Sequence, residues 1–335
     1  MLLAYDYITS RSFWRSVYPP DRIPGNACRT PPLDCFACNE LDVQRLKSDW
    51  VTKELLEEED GRLHVLSFQR NARRSSESHL VRAWTQRVPD GAFFDLGTGA
   101  FVLSPEFIFL HIAATHSLAE TIAYGDEICG CYSFDSLSES GLRQRLPLTN
   151  TGKLWQFISS ARGLPGHGKA VRAITHLVEN SASPMETANE MFACLPYRMG
   201  GYCLHKPEMN YPVELSPEAA RMTRKSMSYI DLCWPNHLVG IEHQGRRFHA
   251  GETSFAADRA RMNALREMGF EVIEMTGNQI ADLTTFESHV LYIAKRIGKR
   301  IDRSKLGPTP ERLALREMIF SWNRTGGCRR QAQDK

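Results

Sequence analysis

Between residues 61 and about 110, apolar residues alternate with polar ones or gather in short runs: "RLHVLSF", then "GAFFDLGTGAFVL". This pattern predicts strands, and the Gly-Thr-Gly between two apolar runs predicts a hairpin. The period then lengthens in "SPEFIFLHIAATHSLAETIAYGDEICG". Ser104 is placed as an N-cap with Pro105 at the first helical position, so one or two helices are expected. Residues 140–180 read as polar helices joined through "GLPGHGK", which lacks phosphate-loop spacing and reads as a helix-to-helix loop.

At residue 181 the pattern changes again. "SASPMETANEMFACLP" predicts a helix of about three turns, with acids near its start. "KPEMNYPVEL" predicts an edge strand, and "YIDLCWPNHLVGIEHQG" predicts two strands about a turn at "WPNH". The helix "SFAADRARMNALREMG", the strand "FEVIEMT" and the helix "TFESHVLYIAKRIGKR" follow. Met262, Leu265 and Met268 form the first helix's apolar stripe. A three-stranded meander joined to a crossover strand gives a mixed sheet with helices on both faces. The expected fold class is α/β, α+β overall. A smaller α+β region at 61–180 precedes a mixed-sheet domain at 181–300, with an unassigned segment at 1–60 and a basic tail at 301–335.

The strand pair raises a question of charge. Asp231 lies between Ile230 and Leu232, and Glu242 follows Leu238, Val239 and Ile241. A carboxylate taken out of water needs a partner. Their midpoint falls between Asn236 and His237, so a near-symmetric hairpin sets the acids almost opposite each other, roughly 5 Å apart, where like charges repel. A divalent cation between them turns the repulsion into a site. The alternative is that Asp231, Glu242 and Gln244 are the outward positions of a two-faced strand. Glu186 and Glu190 share a helix face and either could reach such a metal, although Glu190 reads as part of an exposed acidic face.

Composition narrows the class. The 42% hydrophobic and 24% charged content is that of an ordinary globular protein. No stretch reaches the ~20 apolar residues of a membrane span, and the N-terminus lacks a leader pattern, so a cytoplasmic location is expected. Nine cysteines do not suggest a disulfide framework. Cys28, Cys35 and Cys38 could begin a zinc site, but a fourth ligand is missing and reduced thiols are the favoured reading. Net charge is +2, yet residues 291–335 carry +8 and the remainder −6. That asymmetry is what an arm that contacts phosphate would show, but taken alone a solvated helix face with a frayed end is the favoured reading. Arg246, Arg247, Lys295, Arg296, Lys299 and Arg300 are the candidate nucleic-acid contacts.

The ordered run "SPMET … YIDLCWP … GIEHQGRRFH … DRARMNALREMGFEVIEMT" resembles the very-short-patch-repair-like endonuclease domains of bacteria, members of the PD-(D/E)xK nuclease superfamily. The resemblance covers about residues 181–285. It matches Glu186, Asp231, Glu242, Gln244, Gly245, His249 and Asp258, with Arg259 and Arg261 beside the last. It implies a restriction-endonuclease-like fold and a Mg²⁺- or Mn²⁺-dependent DNA endonuclease. Asp231, Glu242, the His243 carbonyl and Glu186 would hold metal. Asp231, Glu242, Gln244 and His249 would be catalytic. Two departures stand out: Gln244 replaces the lysine of the strict motif, and His249 lies one residue further along than is common. Around "VLSPEFIFLHIAA", residues 61–180 are similar to the region preceding this domain in relatives of the abortive-infection type IV antitoxins. That likeness implies the alternative, a non-catalytic regulator that binds DNA, a toxin or another regulatory partner.

Overall fold

The computed structural model describes residues 3–16, 62–68, 79–96, 99–135, 138–244 and 252–326. It is mixed α/β and divides into two units, residues 1–177 and 178–335. No helix among the described residues is long and apolar enough to cross a membrane. Arg246, Arg247, His249 and the cysteines at 28, 35 and 38 lie outside the described residues.

The first unit holds a five-stranded sheet of order β3-β2-β1-β5-β4. Its strands are β1 (Leu3–Tyr5), β2 (Leu63–Ser67), β3 (His79–Ala83), β4 (Phe93–Asp95) and β5 (Ala100–Leu103). The expected hairpin is present, with Phe93 opposite Leu103. The chain start is not a separate segment: β1 is the middle strand, antiparallel to β2 and parallel to β5. It leads into α1 (Tyr7–Ser16), where Trp14 Nε1 donates to the Leu103 carbonyl at 2.7 Å. Helices α2 (Pro105–Thr115) and α3 (Leu118–Cys129) start as expected. The Ser104 hydroxyl accepts from Phe107 N, and Ser117 with Glu120 forms a reciprocal capping box. A small hairpin, β6 (Tyr132–Phe134) with β7 (Leu142–Gln144), and helices α4 (Thr151–Ser160) and α5 (His167–Ile174) complete the unit.

The second unit begins with α6 (Pro184–Cys194), capped by Ser183 and started by Pro184. Strands β8 (Glu208–Glu214), β9 (Met227–Trp234) and β10 (Val239–Gln244) form the anticipated antiparallel meander. After α8 (Glu252–Glu267), β11 (Glu271–Thr276) returns parallel to β10, so the sheet order is β11-β10-β9-β8. A short helix, α7 (Pro217–Thr223), interrupts the meander after the N-cap Ser216. Val213, Ala219, Ile230, Cys233, Met262, Leu265 and Phe270 are buried together between strands and helices; Met268 packs against them. This bears out the core stripe expected of α8.

Helices α9 (Gly277–Ala281), α10 (Leu283–Arg296) and α11 (Pro310–Thr325) finish the unit. Helix α11 is part of the fold and not a loose basic tail. Arg316 lies over the rings of Phe192, Phe286 and Phe320. Its guanidinium caps the end of α9 by donating to the carbonyls of Ile280 and Ala281.

Candidate functional site

The turn between β9 and β10 is a 3₁₀ turn, Pro235–His237, followed by Leu238 in the left-handed region at φ 52°. That geometry fixes the register: Val239 faces Trp234, Gly240 faces Cys233 and Ile241 faces Leu232. Asp231 and Glu242 are the next pair, at the point where the ladder ends. There the Asp231 carboxylate replaces the missing backbone acceptor, taking the His243 N–H on Oδ2 at 2.7 Å. The two acids also interact electrostatically, and the Asp231 charge is one reason the Glu242 carboxyl is raised.

Parallel pairing of β10 with β11 adds a third acid that the sequence reading missed. Glu274 is in register with Glu242, and Gln244 with Thr276. Asp231, Glu242 and Glu274 therefore form a row across three neighbouring strands. They open onto one cavity of about 1090 Å³, whose wall includes Glu186, His243 and Gln244. Alternation in "FEVIEMT" marks Glu274 as a face position, but only the strand pairing sets it beside Glu242.

Each acid already has protein partners. Arg261, on α8, grips Glu242 with two parallel bonds, Nη1 to Oε1 at 2.8 Å and Nη2 to Oε2 at 3.0 Å. Burial raises the Glu242 carboxyl, the Arg261 guanidinium opposes that shift, and Asp231 and Glu274 add to it. The same pairing raises the pKa of Arg261. Gln244 donates its carboxamide N–H to Glu274, so it bridges neighbouring strands at the cavity. Glu186 seals the start of α6: its carboxylate accepts from Ala182 N at 2.8 Å, the Ser183 hydroxyl at 2.9 Å and Asn210 Nδ2 at 2.9 Å. Burial raises its carboxyl as well, with the Glu242 charge contributing. Glu186 thus stands near the acid row while serving the helix start.

The basic residues are arranged differently from the expected clamp. Lys295, Arg296 and Arg300 are exposed and Lys299 half-buried, but none lines the cavity. Arg296 pairs with Glu271 at 2.5 Å, at the opening of β11, about 10 Å along the strand from Glu274. The cavity's own cations are Lys225, Arg259, Arg261 and Arg266. Of these, Lys225 carried no signal in the sequence because the short helix α7 before it was not foreseen; Arg266 lies on the foreseen helix α8, but its spacing does not say that it borders the acids.

Glu190 corrects the reading of an exposed acidic face. It is 1% exposed, and its Oε2 has no hydrogen-bond partner among the described residues. Burial pushes its carboxyl up to about 8, with Lys206 opposing. The folded state therefore holds this proton more tightly than the unfolded chain. The contribution of Glu190 to stability is most favourable below pH 4.5, the ordinary carboxyl value, and is lost as pH rises to about 8. Glu190→Gln is expected to match the parent near pH 4 and exceed it by about 2–3 kcal/mol at pH 7. Urea unfolding at the two pH values checks this; parallel pH profiles would refute the assignment.

Among the described residues no three His, Cys, Asp or Glu side chains converge as a metal cage. The donor chemistry nonetheless suits Mg²⁺, which binds through one or two carboxylates and keeps several waters. Asp231 and Glu242 meet that smaller requirement with hard oxygen donors. No family model, curated protein or solved structure matches the chain.

Proposed function

We propose that the second unit is a metal-dependent, nuclease-like module that acts on the phosphodiester backbone of DNA. The observation that carries this reading is the placement of Asp231 and Glu242 as neighbours across the open end of the β9–β10 ladder. They lie in a cavity that also presents Lys225, Arg259 and Arg266. Acids and cations lining one cavity suit a substrate that is itself anionic and needs a cation at its reacting group.

Asp231, Glu242 and the His243 carbonyl would hold Mg²⁺ or Mn²⁺. The ion would supply Lewis-acid polarisation of a phosphoryl oxygen and acidify water. The chain's own residues do the rest. Lys225, Arg259 and Arg266 contact phosphates, which positions a strand without reading its sequence. Gln244 lends a neutral amide, free to orient water once it leaves Glu274, and it cannot replace the charge of a lysine. The location proposed for this activity is the cytoplasm.

The experiment is incubation of purified protein with supercoiled, linear and single-stranded DNA, with and without Mg²⁺ or Mn²⁺. Nicking or cleavage that requires the ion is expected. Absence of cleavage on all three forms, with no heat of Mn²⁺ binding, would reject the reading.

A second reading is favoured by one observation: Arg261 already neutralises Glu242. In that reading the unit is an antitoxin-like regulator that binds DNA or a partner protein with a retired nuclease fold. It predicts DNA binding that is unaffected by divalent ions.

A further inference from the structure

We propose that Arg261 is the built-in counter-ion of the acid pair, and that a divalent cation enters by displacing its guanidinium from Glu242. The inference rests on the nuclease-like reading and deepens it, by assigning the site a closed, metal-free state.

Three features of the contact carry it. First, the guanidinium saturates both Glu242 oxygens in the bidentate geometry that makes Arg–carboxylate pairs strong. Those are the oxygens a hard cation needs, so the two occupants exclude each other. Second, Nη1 also donates to the Tyr229 carbonyl at 3.1 Å. One side chain from α8 thereby ties together β9 and β10, the two strands that bring Asp231 and Glu242 side by side. The charge that holds the open ladder end closed is a guanidinium. Third, the Arg261 side chain is 32% exposed, whereas that of Glu242 is 8% exposed. The acid is fixed in the wall, while the arginine borders the cavity and can leave without opening the core.

Once released, the guanidinium remains on the cavity wall beside Arg259 and Arg266. A phosphate of the bound strand is the natural new partner, because Arg presents the same fork to phosphate as to carboxylate. Cation binding and phosphate binding would then favour each other. Each removes an obstacle to the other: the ion frees the arginine, and the phosphate keeps it away from Glu242. The coupling must run equally in both directions. Arg261 acts here as a positioning residue, working through Glu242.

The test is isothermal calorimetry of Mn²⁺ binding to the full chain, comparing the parent with Arg261→Gln, Arg261→Lys and Asp231→Asn. Arg261→Gln is expected to bind Mn²⁺ at least tenfold more tightly than the parent. Arg261→Lys, which offers a point charge in place of the fork, is expected to fall between them. If the glutamine variant does not fold, the lysine variant decides, with a gain of severalfold expected. Asp231→Asn should abolish the heat.

If Asp231→Asn abolishes Mn²⁺ binding but neither Arg261 variant binds more tightly than the parent, the nuclease-like reading stands and the counter-ion role is overturned. If no variant, and not the parent, binds Mn²⁺, both fall together. A tighter Arg261→Gln site combined with weaker binding of a DNA oligonucleotide in Mn²⁺ would support displacement onto phosphate. Unchanged oligonucleotide binding would overturn that transfer.

Discussion

Asp231→Asn is expected to eliminate metal-dependent cleavage while leaving the fold standing. Loss of an outer partner of a metal ligand alone costs about 10–100-fold, so losing a direct carboxylate should cost about 10³-fold or more. That corresponds to about 4 kcal/mol of transition-state stabilisation. Stability should barely change, for a local reason. Asp231 accepts the His243 N–H through Oδ2, and an asparagine carbonyl can accept the same bond. The substitution also removes one charge facing Glu242, whose carboxyl is raised partly by Asp231. A change within about 0.5 kcal/mol is expected. Glu242→Gln is the less clean probe, since it leaves the Arg261 guanidinium without its carboxylate. Cleavage rates and urea midpoints on the same preparations check both halves. Parent-like cleavage by Asp231→Asn would remove the acid pair from any catalytic role.

The legible part of this site was the part written in local sequence. The "WPNH" turn, with acids equidistant from its centre, was enough to place Asp231 against Glu242, because a hairpin's register follows from its turn. The Ser-Pro helix starts at Ser104 and Ser183 were readable for the same reason: capping depends on residues within one turn. Glu274 was not readable. Its own strand, β11, arrives by a crossover through α8, and nothing in "FEVIEMT" specifies which residue of β10 Glu274 will face. The role of Arg261 was hidden in the same way. An arginine on a polar helix face looks solvated until the helix is set against the sheet.

Gln244 changes meaning in this light. As a departure from a nuclease motif it marks a missing cation. In the fold its amide N–H meets Glu274, the added acid of the row. Cationic charge is not absent from the cavity: it comes from α8 through Arg259, Arg261 and Arg266, and from Lys225. On the proposed nuclease-like reading, the helix would supply the charge that a strand-borne lysine brings. The reading of Glu190 failed through burial, which single-sequence spacing does not report. An i+4 glutamate on an amphipathic helix gives no sign that a neighbouring element will cover it.

The tail is where charge counting misled most, and Arg312→Ala should show it. Arg312 was counted only as one of the charges of a +8 segment that suits a phosphate-contacting arm or a solvated helix face; in the fold it is 2% exposed. Its guanidinium lies 3.8 Å from the centre of the Tyr202 ring. It donates to the carbonyls of Gly200, Gly201, Lys305 and Gly307 at 2.5–3.4 Å. The approach is close because Gly200 has φ 93°, and a Cβ there would meet the Glu311 carbonyl at 2.4 Å. Glu287 stands 3.6 Å away and also accepts from the Tyr202 hydroxyl. Removing the arginine strands several buried carbonyls and takes the counter-charge from Glu287. A loss of about 3–5 kcal/mol is expected, the scale seen when a buried ionic contact is broken from one side. Arg312→Lys should recover little, because one ammonium cannot span these carbonyls and stack on the ring. By contrast Arg300→Ala, on the surface, should change stability by less than about 0.5 kcal/mol. Urea titration of the three variants separates the cases. If Arg312→Ala instead kept its stability and lost DNA affinity, the residue would be a phosphate contact, and α11 would have to sit elsewhere.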